Sequence, residues 1–338
     1  MNKVKLQEIK HSLQWGIYEF FRKITAPLRK SGAAKKKLRK SKTGEFLFFL
    51  ALIIYPVVQF CVFYIGVNFN SILLAFKTFN IDTSEFYFVG FDNFKQFFYD
   101  VGNDPVMIMA IKNSFKIYAV TLFIALPLNI FFSYFIYKKV PCSKFFQVIL
   151  FMPQVLSAIV MSLMFKFFVD RGLPSILSAL GFKNIPAFLV DKNTAFNTIM
   201  FYCVWSGFGT QILIYSSAMS RIDESLVEYA KLEGMSAFRE FFQITLPLIF
   251  PTMITFLVAG IAGIFTNQAQ VFNFYGSSAD YYLQTLGYNF FIKVASGDAS
   301  LPNYPYAAAG GLVFTVIAVP LTILIKRLLE KINPVTEY

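Results

Sequence analysis

The chain alternates between long apolar runs and short polar interruptions. Six runs stand out, at about 46–67, 113–137, 145–168, 195–219, 252–274 and 307–325. The first, FLFFLALIIYPVVQFCVFYIGV, has 22 residues and no charge. At about 1.5 Å rise per residue it reaches roughly 33 Å, enough for a ~30 Å hydrocarbon core. Runs of this length predict six transmembrane helices and an all-α, polytopic membrane protein. Forty-five residues precede the first run, whereas a cleaved signal sequence has its basic region in the first few positions, so the run is expected to stay in the membrane.

Composition strengthens this picture. Of 338 residues, 56% are hydrophobic and only 15% charged, against about 25% charged in an average soluble domain, which excludes an ordinary soluble enzyme. The net charge of +12 is concentrated at one end: residues 1–45 hold thirteen Lys and Arg against Glu8, Glu19 and Glu45, leaving a nearly neutral body of eighteen basic and sixteen acidic residues. Nucleic acid is therefore not an expected partner. With six crossings, the basic tail, the Lys138-Lys139-Lys144 turn and the Lys326-Arg327-Lys331 end fall on one side, which predicts that both termini are cytoplasmic. The segment 68–112 is more acidic and is expected outside. Within the tail, Leu6, Ile9, Leu13, Ile17, Phe20 and Ile24 recur at helical spacing. Two readings stand: an interfacial helix on anionic membrane lipid, or a solvated orientation signal. Lys35 to Lys42 then reads as a linker. The domains are thus a basic tail, 1–45, and a transmembrane domain, 46–338, with a cytoplasmic loop at 220–251.

Candidate chemistry is sparse. Cys61, Cys142 and Cys203 form no Cys-x-x-Cys pattern, and His11, the single histidine, has no acidic or cysteine neighbour, so no metal site is indicated. Inside the runs the only side chains charged at neutral pH are Lys116 and Lys166, each near an end. A proton- or ion-coupled carrier usually needs intramembrane carboxylates or histidines. No phosphate-binding loop and no hydrolase motif occurs, so no catalytic residue and no cofactor of this chain's own is expected.

The loop from Arg221 to Met253 carries the strongest signal. Asp223 can cap a helix from Glu224 to Leu232, Gly234 can take the left-handed conformation that ends it, and Ser236 can cap a second helix to about Ile244. Pro247 and Pro251 then stand where the chain returns to the membrane. Glu228-Tyr229-Ala230, Glu233-Gly234 and Ile244-Thr245-Leu246-Pro247 together resemble the E-A-A-x(2)-[DE]-G loop and trailing I-x-L-P of bacterial ABC importer permeases. Tyr229 and Glu233 depart from the commoner Ala and Asp but keep the acid, the small residue and the glycine turn. The resemblance extends from about residue 46 to the end through Ile72–Asn80, Val89–Phe94, Met152-Pro153, Trp205–Gly209 and Ser220–Glu224, and is similar in order to the carbohydrate-uptake branch. Gly172-Leu173-Pro174 departs from the Gly-x-Asn of many relatives.

The resemblance implies the ABC importer permease fold in a bacterial inner membrane and half of a translocation pore for a sugar, an oligosaccharide by family likeness. Its implied partners are a second permease, an extracytoplasmic solute-binding protein and a cytoplasmic ATPase dimer that binds ATP and Mg. Glu228, Ala230, Glu233, Gly234 and Pro247 would form the ATPase contact. A permease for a non-sugar solute is the alternative, followed by an energy-independent channel.

For the substrate pathway, Asn267, Gln270 and Asn273 lie at steps of three in a polar, aromatic stretch of the fifth run, so one helical face can present all three. Gln211 and Tyr215 on the fourth run form a second face. Amides at membrane depth either line a polar cavity or glue helices together, and both readings stand.

Overall fold

The computed structural model describes residues 42–295 and 301–333. The amphipathic stretch Leu6 to Ile24, His11 and the basic run Lys35 to Lys40 lie outside the described residues. The chain divides into two compact units, Met1–Gly66 and Val67–Tyr338. In the first, α1 (Lys42–Gln59) leads into a π turn (Phe60–Gly66), and every residue from Phe46 to Gly66 is exposed, as suits a helix that faces lipid. The second unit runs through α2 (Val67–Leu74), a hairpin of β1 (Lys77–Asn80) and β2 (Glu85–Phe88), α3 (Asp92–Asn103), α4 (Pro105–Tyr137), α5 (Ser143–Val155), α6 (Ala158–Ala179), α7 (Ala195–Met219), α8 (Glu224–Leu232), α9 (Ala237–Thr266), α10 (Val271–Tyr275), α11 (Leu286–Val294) and α12 (Leu301–Ile332).

Four stretches are long and apolar enough to cross a bilayer: Phe46–Leu74, Pro105–Tyr137, Ala237–Thr266 and Leu301–Ile332. Three of the predicted runs, 46–67, 113–137 and 307–325, fall inside them. The run 145–168 is not one straight helix. It breaks between α5 and α6, whose axes meet at 105°. Pro153 supplies no N–H near the end of α5, and Leu156 and Ser157 are extended, with ψ of 153° and 134°. The pair makes a fifth crossing if its halves count as one.

The run 195–219 is a single 25-residue helix, α7, yet it is not among the candidate spans. Its position explains the difference. Packed against α4, α5 and α9, it buries Ile199, Tyr202, Ile212, Tyr215 and Met219, so protein covers one side of it, where Ser206 and Gln211 are half-buried, while Asn197 and Thr210 on the exposed side lower its hydropathy. Gly209 brings α5 close: a Cβ there would lie 2.9 Å from the Phe151 ring and 3.0 Å from its backbone. Gln154 fastens the contact, donating to the Ser206 carbonyl at 3.0 Å and accepting from Thr210.

The predicted fifth run, 252–274, is shifted. Its helix, α9, starts at Ala237 and ends at Thr266. The second loop helix expected to stop near Ile244 is thus the start of this span, and Pro247 and Pro251 lie within it. A π turn, Phe241–Thr245, precedes Leu246-Pro247. The same device recurs twice, with Thr121–Ala125 before Leu126-Pro127 and Phe168–Gly172 before Leu173-Pro174. In each the leucine N–H reaches back five residues, to Thr121, Phe168 or Phe241, and the proline that follows has no N–H to place.

Among the described residues the hairpin is the exception to an all-helical fold. Lys77 pairs with Phe88 and Asn80 with Glu85, the Phe79 and Phe86 rings pack at 5.0 Å, and Asn80 accepts the Asp82 N–H at the turn. Asn93, at the start of α3, donates to the Ala75 and Lys77 carbonyls at 2.8 and 2.7 Å and so ties hairpin to helix.

Three apolar clusters hold the second unit. Phe165, Tyr202 and Phe274 join α6, α7 and α10. Phe97, Met107 and Leu286 join α3, α4 and α11. Ile130, Tyr215, Met219 and Ile249 join α4, α7 and α9 beside the 220–236 loop.

Candidate functional site

The loop between α7 and α9 is built from local signals. Asp223 accepts the Ser225 N–H at 3.0 Å and caps α8. That N–H, together with the Ser225 hydroxyl, holds the Asp223 carboxyl below the usual carboxylate range. Its folded pKa being depressed, the cap is intact at neutral pH and weakens as pH falls through that lowered value. At the other end Gly234 has φ +69°, its N–H reaches the Lys231 carbonyl at 3.1 Å, and the Met235 N–H reaches Ala230 at 2.9 Å. These two bonds are the Schellman arrangement. Ser236 then accepts the Arg239 N–H at 3.3 Å and starts α9.

This turn presents apolar surface outward. Leu226, Tyr229, Leu232 and Phe238 are exposed, Leu232 by 85%, around the exposed Glu228, Glu233 and Gly234. Four large apolar residues exposed together here are the kind of surface that proteins use to meet a partner or a membrane. Ala230 faces inward, 3% exposed. Pro247 stands apart from this surface, half-buried inside α9.

Beneath the turn, the end of α4 grips the start of α9. The Lys138 ammonium donates to both Glu240 carboxylate oxygens, at 2.5 and 2.6 Å, with the Glu240 side chain only 5% exposed. The Tyr134 hydroxyl donates to the Ala237 carbonyl at 2.8 Å, and its ring lies 4.8 Å from that of Phe241. Breaking such a buried pair from one side costs roughly 3–5 kcal/mol, because the remaining charge stays in place unpaired. Neither Lys138 nor Glu240 is marked by sequence as a partner of the other.

The second polar region lies past the end of α9. Asn267, Gln270 and Asn273 do not share a helical face, because the helix stops at Thr266 and Asn267 is extended. Ala269 and Gln270 both have positive φ, 51° and 59°. Asn267 accepts the Ala269 N–H at 2.8 Å, and Asn273 donates to Gln270 at 2.5 Å. The amides thus satisfy the backbone and each other in a tight turn, and Asn267 alone also borders a small cleft of about 80 Å³ between α4 and α9.

Neighbouring elements brace this turn. Thr285 donates to the Asn267 carbonyl at 2.9 Å, and Gly287 lies so close that a Cβ would sit 2.4 Å from the Thr266 carbonyl oxygen. From α4, the buried Asn113 donates to the Tyr282 and Gln284 carbonyls, both at 2.9 Å, and the Ser114 hydroxyl accepts the Leu286 N–H at 2.9 Å. Asn113→Ala strands two carbonyls, a cost of about 1–3 kcal/mol. It is expected to lower the unfolding temperature of the detergent-solubilised protein, and an unchanged transition would show the bonds to be dispensable.

Tyr215 is enclosed and Gln211 half-buried. Gln211 accepts from the buried Asn129 of α4 at 2.5 Å. Tyr215 is 0% exposed, its ring 5.2 Å from Phe256, and its hydroxyl has no partner among the described residues. In this conformation both residues join α7 to its neighbours. Asn113, Asn129 and Gly287 were not marked by sequence, since their role appears only once distant segments meet.

A family model described as "Binding-protein-dependent transport system inner membrane component" matches residues 125–334, more than half of the chain. The multiple sugar-binding transport system permease protein MsmF of Streptococcus mutans is 27% identical over 284 residues, 82% of this chain and 94% of its own length. The diacetylchitobiose uptake system permease protein NgcF of Streptomyces coelicolor is 28% identical over 258 residues, 71% of this chain and 72% of its own. A bacterial alginate ABC transporter, solved in complex with an alginate pentasaccharide-bound periplasmic protein, has a chain that is similar in fold. Its TM-score is 0.73 at 20% identity, over 89% of this chain and 100% of that one.

Proposed function

Since the chain belongs to the family of binding-protein-dependent transport system inner membrane components, we propose that it is the permease subunit of an ATP-driven sugar importer, with an oligosaccharide as cargo. It is a transport component rather than an enzyme. A solute-binding protein delivers the sugar on the outer side, a second permease completes the path, and a separate ATPase dimer binds ATP and Mg. The relatives' names support the substrate class, being those of a multiple-sugar and a diacetylchitobiose system.

In this reading the membrane is crossed six times: by the four apolar spans, by the bent α5–α6 pair and by α7, which is long enough at roughly 37 Å and is covered on one side by its neighbours. An even number of crossings puts both termini on one side, and the Lys and Arg distribution makes that side cytoplasmic. The basic tail, 1–45, and the 220–251 loop then both face the ATPase side.

The observation that carries the proposal is the exposed set Leu226, Tyr229, Leu232 and Phe238 around a glycine-stopped helix. Glu228, Glu233 and Gly234 lie in the same contact, while Ala230 and Pro247 act from behind it, by packing and by shaping the stem. Leu232→Asp tests the reading. Burying the leucine contributes about 1.5–3 kcal/mol, and each 1.4 kcal/mol is a tenfold change in affinity, so recovery of the ATPase with the tagged permease is expected to fall at least about tenfold. Undiminished recovery would show that the ATPase binds elsewhere. Uptake of labelled oligosaccharides by cells carrying the operational complex tests the cargo, and transport of other solutes alone would exclude sugar.

A further inference from the structure

We propose that the Lys138–Glu240 ion pair is the strut through which movement of the α8–α9 turn is passed to α4, and so to the bundle. The proposal rests on the reading of that turn as the ATPase contact. Tyr134 and Lys138 stand four residues apart on the last turn of α4 and share one face. Ala237, Glu240 and Phe241 stand at spacings of three and four on the first turns of α9. The two faces meet in three different contacts: the bidentate pair, the Tyr134 hydroxyl on the Ala237 carbonyl, and the Tyr134–Phe241 ring contact. The ammonium also lies over the Tyr134 and Tyr137 rings, at 5.6 and 5.7 Å from their centroids.

This geometry differs from that of the surface pairs Lys95–Asp92 and Lys326–Glu330, whose side chains are more than half exposed. A carboxylate in water can exchange its partner. One at 5% exposure, facing an ammonium at 21%, has little solvent to replace that partner, so the ends of α4 and α9 move together or the pair is lost. Past Lys138 the chain turns away at Lys139, with φ 50°, which leaves Lys138 as the last side chain of α4 able to make this contact. Above it α4 packs along α7. A displacement imposed on α8 and the start of α9 therefore has a direct mechanical route into the helices that enclose the path.

Lys138 and Glu240 are positioning residues in this scheme, and charge exchange separates that role from simple stability. The complex of permease subunits and ATPase is reconstituted with its binding protein, and sugar uptake per ATP hydrolysed is measured for Lys138→Glu, Glu240→Lys and the two combined. The single changes are expected to keep the ATPase bound and basal hydrolysis intact while uptake per ATP falls about tenfold, within the usual range of coupling effects. The combined exchange is expected to restore most of it. Wild-type uptake per ATP in either assembled single variant would overturn the proposal, as would a loss that the exchange does not repair. Should the single variants fail to insert, Lys138→Met with Glu240→Gln keeps the volume without the charges, and unchanged coupling in that variant overturns the proposal equally. Failure of the underlying reading shows differently: ATPase recovery would then be indifferent to Leu232→Asp.

Discussion

Replacing Gly234 with valine is expected to abolish sugar uptake while leaving the protein in the membrane at its normal level. Nothing lies within 4 Å of a Cβ built on Gly234, so the obstacle is the backbone, at φ +69°. An ordinary L-residue pays roughly 1–2 kcal/mol there, and a β-branched one more. The strain is relieved by turning the chain another way, which undoes the Met235 to Ala230 bond and swings α8 relative to the Ser236 cap. Because Leu232 precedes the turn and Phe238 follows it, a re-aimed turn separates the two halves of the exposed apolar surface. The control is Gly234→Asn, since asparagine tolerates the left-handed region and is expected to keep most of the activity. Uptake assays with immunoblots of the membrane fraction read both quantities, and undiminished uptake by Gly234→Val would remove the turn from the coupling machinery.

The largest effect on folding is expected at Gly287. A methyl group there meets the Thr266 carbonyl oxygen at 2.4 Å, its carbon at 2.5 Å and the Asn267 carbonyl carbon at 2.7 Å. All three are backbone atoms at the point where α9 ends, and the Thr285 to Asn267 hydrogen bond holds them in place. Gly287→Ala must therefore push α11 away from α9, a cost on the order of 3 kcal/mol. The expected result is an earlier unfolding transition in detergent and faster proteolysis between residues 267 and 286. Gly263→Ala, which meets nothing within 4 Å and favours the helix, is expected to leave both unchanged. Equal behaviour of the two variants would mean that the α9–α11 contact gives way more easily than its geometry indicates.

How much of this was legible in sequence follows from whether the deciding signal is local. The α8 turn was, because Asp223, Gly234 and Ser236 each act within three residues of where they stand, and their bonds are those that capping chemistry requires. Long apolar runs likewise marked three of the four apolar spans, 46–67, 113–137 and 307–325, since the lipid reads hydropathy residue by residue. The end of α9 was not legible. Asn267, Gln270 and Asn273 fit a polar helical face as well as they fit a turn, and the positive φ values fall on Ala269 and Gln270, with no glycine to betray them. The break at Leu156 gave only Pro153 as warning, and membrane helices often carry proline without breaking. The hairpin was missed because KTFN and EFYF are too short to separate from a loop. Lys138 and Glu240 lie 102 positions apart, and nothing in either neighbourhood names the other.

The π turns have a consequence for the phase of the helices that contain them. In α4 the buried positions run Met107, Ala110, Asn113 and Ile117, then resume at Ala125, Asn129 and Ser133. From Ile117 to Ala125 takes eight residues, where two regular turns take about seven. In α9 the step from Glu240 to Thr245 is five. Each span therefore holds one supernumerary residue, absorbed in the widened turn and invisible to the packing on either side. Deleting a residue anywhere else in α4 would rotate everything beyond it by about 100° and carry its buried stripe off the core. Deleting it inside the turn would keep the stripe in line but press a carbonyl against the ring of Pro127. Extra residue and proline are thus a matched pair, and a chain that loses one of them in good order has to lose both.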